Sequence, residues 1–313
     1  MAMKISLQEF SRDFRSAFLN LHWKQWSALG VAAQVPPSAK WAIDLEALTL
    51  STYAIGVHDR RLYQSALEWL QENRSWLNLP RLKRMGRIYT QPVPEPGLGP
   101  RIDPARFEWL VNTIRGFRNK GAAAGNPDGV DLAPRGVVTD PPLQKPALLQ
   151  LKLRGLFGID AKAEVLMYFL GNQGGNSNSI ARELFFDQKN IYRVLENWRR
   201  SGILTGIKGA RIGSFSLERK SAWLGTLEVK TAPLYFPWAR SFHFLNRVFS
   251  ALSQTPWSEN EYALSSLFRD ILNEAKKAGI FIKVGFPDPA QYAGEEYFHP
   301  FAEKIMELLT RLQ

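Results

Sequence analysis

Asn176-Ser-Asn-Ser-Ile-Ala-Arg-Glu-Leu-Phe-Phe-Asp-Gln-Lys-Asn-Ile-Tyr-Arg-Val-Leu-Glu-Asn-Trp-Arg-Arg200 reads as two helices joined by a tight turn. Asn176, Ser177 and Ser179 offer cap oxygens to a short helix over 180–186, whose Ile180, Ala181, Leu184 and Phe185 face inward. Asp187 caps a second helix over 188–200, in which Ile191, Val194, Leu195 and Trp198 fall at i, i+3, i+4 and i+7 and fix a buried side. On the opposite side Lys189, Arg193, Glu196 and Arg200 recur at spacings of four, three and four, with Tyr192 and Asn197 beside them. A long, positive outer face is therefore predicted.

Upstream, Ile159 to Leu170 reads as a supporting helix with Ala163, Leu166, Phe169 and Leu170 on one side, ended by the glycines of 171–175. Downstream, Ser201-Gly202 stops the basic helix, and 203–217 reads as two short strands joined at Lys208-Gly209-Ala210. Between Gln188 and Lys220 eight Lys and Arg stand against Glu196 and Glu218 alone. This order of helix, short helix, capped basic helix and basic hairpin resembles the winged helix-turn-helix transcriptional regulators, including the MarR and ArsR types. The elements that carry the resemblance are Ala181 to Leu184, Leu195 to Trp198 and Gly202-Ile203.

The resemblance covers about sixty residues of the 313. It implies a winged helix-turn-helix domain over 148–228 with a two-stranded wing, in a sequence-specific regulator of transcription that binds double-stranded DNA. The helix 188–200 would lie in the major groove and the wing, 206–213, on the backbone. Gln188, Lys189, Asn190, Tyr192 and Arg193 are then candidates for base edges, and Arg200, Lys208 and Arg211 for phosphates. Ser177 and Ser179 would donate to a phosphate at the start of the shorter helix. Glu196 opposes phosphate unless it pairs with Arg200 or accepts from cytosine. The alternative is a protein-interaction subunit, adaptor-like or antitoxin-like, gripping an acidic partner with the same surface.

The remainder reads as mainly α. A helical N-terminal domain over 1–120 is marked by Phe10, Phe14, Phe18 and Leu21, by a stretch from Asp44 to Leu50, and by 61–70 with Asp59 as its cap. Four prolines between Gln91 and Pro100 force a loop, and Asp103-Pro104 opens a further helix. Residues 121–147, rich in Gly, Ala and Pro, read as a linker or mobile loop. A helical C-terminal region over 229–313 ends in a helix opened by Pro300, whose Phe301, Ile305, Leu308, Leu309 and Leu312 suit either the chain's own core or the same helix of a homodimer partner.

Composition narrows the remaining classes. Lys and Arg number 40 against 29 Asp and Glu, a formal charge of +11 that favours a polyanionic partner. The chain has no cysteine, so disulfides, thiolate metal sites and a thiol nucleophile are excluded. His22, His58, His243 and His299 are scattered without metal-ligand spacing, and no Gly-Lys-Ser or Gly-Lys-Thr occurs. No catalytic residue, cofactor or metal is assigned. The ten tryptophans are expected in the core, and Arg81 to Arg87 is a short basic run that adds phosphate contacts or forms a solvated helix end. With no signal peptide and no apolar run of roughly 18 residues, a cytoplasmic protein without membrane association is expected.

Overall fold

The computed structural model describes residues 5–37, 40–92, 101–117, 126–206, 213–229, 233–254, 257–277 and 284–313. The protein is mainly helical, 67% of it in thirteen helices, with a small three-stranded antiparallel sheet among the described residues. Five helices come first: α1 (Leu7–Leu29), α2 (Leu45–Ile55), α3 (Arg60–Glu72), α4 (Leu79–Thr90) and α5 (Pro104–Phe117). Ser6, Asp44, Asp59 and Asn78 cap the first four through side-chain oxygens, and Asp103 Oδ1 accepts from the first amides of α5. Three more close the chain: α11 (Trp238–Ala251), α12 (Glu261–Lys277) and α13 (Phe298–Leu312). Pro300 stands inside the first turn of α13 rather than at its opening, where its missing N–H is equally harmless.

These two groups, far apart in sequence, share one apolar core. Phe10 of α1 packs edge-on to Phe298 and Phe268, and Phe18 meets Phe242 and Phe249. The stripe Phe301, Ile305, Leu308, Leu309 and Leu312 is buried within the chain itself. Most of the tryptophans, among them Trp23, Trp26, Trp41, Trp69 and Trp238, are core residues of this body. The described part of the Gly- and Pro-rich segment, 126–147, runs along the body: Ala32 N–H donates to the Val137 carbonyl and Thr139 N–H to that of Gly30.

Between the two groups a second apolar cluster forms from residues between Leu149 and Val229, joined by Ala42. It contains α6 (Leu149–Phe157), α7 (Ala161–Gly171), β1 (Gly175–Asn176), α8 (Ser177–Leu184), α9 (Gln188–Arg200), β2 (Leu204–Gly206), β3 (Ser214–Leu217) and α10 (Lys220–Thr226). The chain passes into and out of this module beside one strip of the body. Ile43 N–H donates to the Ala147 carbonyl, Ala42 N–H to that of Leu234, and Leu234 N–H to that of Lys40.

A buried ionic network joins the two cores. Arg81 donates to both oxygens of Asp44 at 2.8 and 2.6 Å and to Glu46 at 2.5 Å. Arg154 of α6 binds Glu46 at 2.7 and 2.8 Å and Glu164 of α7 at 2.5 and 2.8 Å. Gln150 completes it, donating to Glu164 and accepting from the Leu45 amide. Three carboxylates thus face two guanidiniums, and the amide ends of α2 and α4, which include the Asn78 N–H bonded to Glu46, supply the remaining positive field. Burial pushes Asp44 upward, but the Arg81 charge and hydrogen bonds outweigh it and the carboxyl lies below its ordinary range. Burial likewise opposes the charge of Arg81 and Arg154, yet the carboxylates hold both above the usual arginine range. The basic run from Arg81 is thereby corrected as a source of phosphate contacts at its first member, which is fully enclosed, while Lys83, Arg84 and Arg87 are exposed.

A polar chain also crosses the body core. His22 Nδ1–H donates to the Phe18 carbonyl, its Nε2 accepts from the Ser51 hydroxyl, and Ser51 accepts from Asn246. Burial pulls the imidazole down to about 4, so it is neutral in the folded protein.

Replacement of Arg154 by Met strips buried Glu164 of its contacting guanidinium and leaves Glu46 with Arg81 alone. Urea unfolding is expected to show a loss of roughly 3–5 kcal/mol, and a loss below about 1 kcal/mol would show that these carboxylates reach water. His22 gives a pH dependence of opposite origin: the unfolded chain takes up a proton that the folded chain refuses. Stability is therefore full above about pH 6.5 and falls progressively as the pH drops toward 4, by on the order of 3 kcal/mol. Unfolding curves of His22→Gln should be flatter across that window than those of the wild type.

Candidate functional site

Asp187 fixes the start of α9 by accepting from the Lys189 and Asn190 amides at 3.0 and 3.3 Å. Ile191, Val194 and Leu195 are buried and Trp198 is half-buried, so the inner side of the helix is the one its spacing predicts. The outer side follows by geometry: Gln188, Lys189, Asn190, Arg193, Asn197 and Arg200 are exposed, and Tyr192 is 49% exposed. Ser201 ends the helix and Gly202, at φ 72°, supplies the left-handed residue that turns the chain into β2.

The sheet has the order β1-β3-β2, with Gly175 opposite Phe215 and Leu204 opposite Leu217. Leu204, Phe215 and Leu217 point into the module core, while Thr205 and Ser216 join hydroxyls at 3.0 Å on the other face. The expected pair of strands is thus present, but a third, β1, adds to it from the glycine stretch that reads as a loop. Two residues carry no period for pattern reading. Gly175 has a steric role there, since a Cβ would stand 2.9 Å from the Tyr168 hydroxyl and 3.0 Å from Ile180. Lys208 and Arg211, with the rest of the predicted turn at 207–212, lie outside the described residues.

The start of α8 is built differently from expectation. Asn176 caps it, and the Ser179 hydroxyl donates back to the Asn176 carbonyl at 3.0 Å while accepting its amide. The Ser179 proton is therefore committed within the cap, which corrects its assignment as a phosphate donor. Ser177 instead accepts from Gln188 Nε2 at 2.9 Å, so its own proton and the Gln188 carbonyl oxygen remain available, and the two helix starts are tied together.

Charge on the outer face is sorted by one local pair. Glu196 accepts from Arg199 at 3.0 and 3.2 Å rather than from Arg200. The Arg199 hydrogen bond draws the Glu196 carboxyl below its usual range and raises the arginine. Lys189, Arg193 and Arg200 make no ion pair among the described residues and keep a net positive, donor-rich surface. Such an array has the donors to meet a row of anionic oxygens and, through its amides and guanidiniums, planar acceptor edges.

The four histidines are dispersed: His22 is buried in the body, His58 meets Phe249, His243 meets Tyr89, and His299 stands 3.9 Å from Glu261. Among the described residues no group of three or more His, Asp or Glu side chains gathers as a metal site, and no helix is long and apolar enough to cross a membrane.

Comparison of the chain with protein-family models, with curated proteins and with solved structures returns no match.

Because Asp187 alone caps α9, Asp187→Ala is expected to lower stability by about 1 kcal/mol. Differential scanning fluorimetry would register this as a lower melting temperature, and an unchanged midpoint would show that α9 is held by its apolar face only.

Proposed function

We propose that residues 149–229 are a winged helix-turn-helix that binds double-stranded DNA, and that the protein is a sequence-specific regulator of transcription. The observation that carries this reading is the set Lys189, Arg193 and Arg200, exposed and without an ion pair among the described residues, on a helix whose other side is buried. A 13-residue helix is about 20 Å long, enough to cross a major groove about 12 Å wide and reach both flanking backbones. The succession α7, β1, α8, α9, β2, β3, with β3 between the other two strands, supports the same arrangement. In it the wing expected over 206–213 would meet the backbone through Lys208 and Arg211, which lie outside the described residues.

Residues near the start of α9 suit base edges. Asn190 and Gln188 offer the paired donor and acceptor that match adenine, and Lys189 and Arg193 offer donors to guanine. Arg200 and Ser177 stand at the two ends for phosphates. The Glu196–Arg199 pair removes the repulsion that a bare carboxylate would bring. The body, with its separate core, is then the part that senses or dimerises, and a two-fold dimer would set α9 helices at half-sites about one helical turn apart. The same face would also serve an adaptor that binds an acidic protein, a reading separated from the first by one assay.

Selection of duplexes from a random pool, followed by fluorescence anisotropy between 50 and 200 mM salt, tests the proposal. Binding should weaken linearly in log–log form, and Arg193→Ala should lose about 1–3 kcal/mol on the selected duplex while relaxing preference at one position. Absence of binding at low salt overturns DNA as the partner. Equal affinity for every duplex overturns the reading of sequence.

A further inference from the structure

We infer that Arg182 and Arg240 together form an anion site, spanning the seam between module and body, that takes a backbone phosphate of the same DNA. The inference rests on the DNA-binding reading above and extends the footprint to a residue outside the module. Arg182 lies exposed in the last turn of α8, and Arg240 belongs to the first turn of α11 in the body. Arg240 Nη2 donates to the Arg182 carbonyl at 3.4 Å, which brings the two cationic residues together across the seam. The Arg240 guanidinium stands 5.5 Å over the Phe185 ring, so its face is covered and its fork of donors is held at the edge.

Neither arginine makes an ion pair within 4 Å among the described residues. Glu183, the acid whose field reaches both arginines, accepts from the Tyr235 hydroxyl and is pushed upward by burial. Desolvation first and the Arg182 charge next lower Arg240, against a smaller opposing pull from Glu183. Two cationic residues joined through one backbone carbonyl, one of them partly enclosed, would be relieved by an anion between their side chains. The α11 amide end adds to the attraction, because no side chain caps that helix.

Position selects which anion. Phe185, in the left-handed region at φ 59°, is the turn residue between α8 and α9, three residues after Arg182 and three before Gln188. The pair therefore stands at the Gln188 end of the cationic face, and Arg200 stands at the far end, about 20 Å along the helix. A phosphate at each end is what a helix crossing the major groove meets. Such contacts position the protein and do not read bases.

The test uses the full chain, its selected duplex and a random duplex, with affinity measured across the same salt range. Arg182→Gln and Arg240→Gln should each lower the slope of log affinity against log salt by about 0.9, weaken both duplexes by the same factor and leave sequence preference intact. Arg240→Lys, which keeps the charge, should restore most of the slope. Because Arg182 is exposed, its variant reports on the contact without disturbing the seam. A wild type that binds no duplex overturns the DNA reading itself. A wild type that binds while both glutamine variants keep its full slope overturns this site alone, as does a changed base preference in place of a changed slope.

Discussion

Arg81 and Arg154, enclosed with Asp44, Glu46 and Glu164, are the interaction on which the arrangement of this protein depends. Each charge removed from water carries a desolvation penalty of several kcal/mol, and the penalty is offset only where every partner is in place. Asp44 and Glu46 belong to the body, Arg154 and Glu164 to the module, and Arg81 crosses between them. The network therefore tolerates one relative placement of the two cores. An apolar seam would slide, whereas a bidentate arginine has a fixed plane and fixed bond directions.

That constraint reaches the cationic face of α9 through α8. Arg81 Nε donates to the Leu184 carbonyl at 2.9 Å, and Arg240 donates to the carbonyl of Arg182. Both are cations at the negative end of a helix, the favourable sense for its dipole. The helix that supports α9 is thus anchored at its C-terminal end by the body and at its N-terminal end by the Asn176–Ser179 cap. With α9 tied to α8 through Gln188 and Ser177, the row Lys189, Arg193 and Arg200 inherits its direction from the buried ions. Preorganisation of this kind lowers the entropy lost when a long, rigid partner is bound.

The body's helices contribute in a different way. Their aromatic core gathers residues from both ends of the chain around α1, and the 40–46 segment of the body lies beside the points where the module begins and ends. A short, hydrogen-bonded strip thus lies where the two cores adjoin. The 126–147 segment reinforces this, lying against Gly30 and Ala32 of the body although its composition reads as a linker.

Sequence alone determined the local elements. The caps at Asp59, Asp103, Asn176 and Asp187, the apolar sides of α9 and α13, and the exposure of Lys189 and Arg193 follow from interactions within one or two turns, which leave a period in the chain. Tertiary structure decided what has no period. The pairing of β1 rests on two residues, Gly175 and Asn176, that read as a loop until β3 lies beside them. Arg81 looks like any surface cation in a basic run, and only the approach of Asp44 and Glu46, more than thirty residues earlier in sequence, turns it inward. Glu196 chose Arg199 over Arg200, and Ser179 chose its own cap, because rotamers settle such contests. The meeting of Arg182 with Arg240 left no trace in either local sequence, since α8 and α11 belong to different cores.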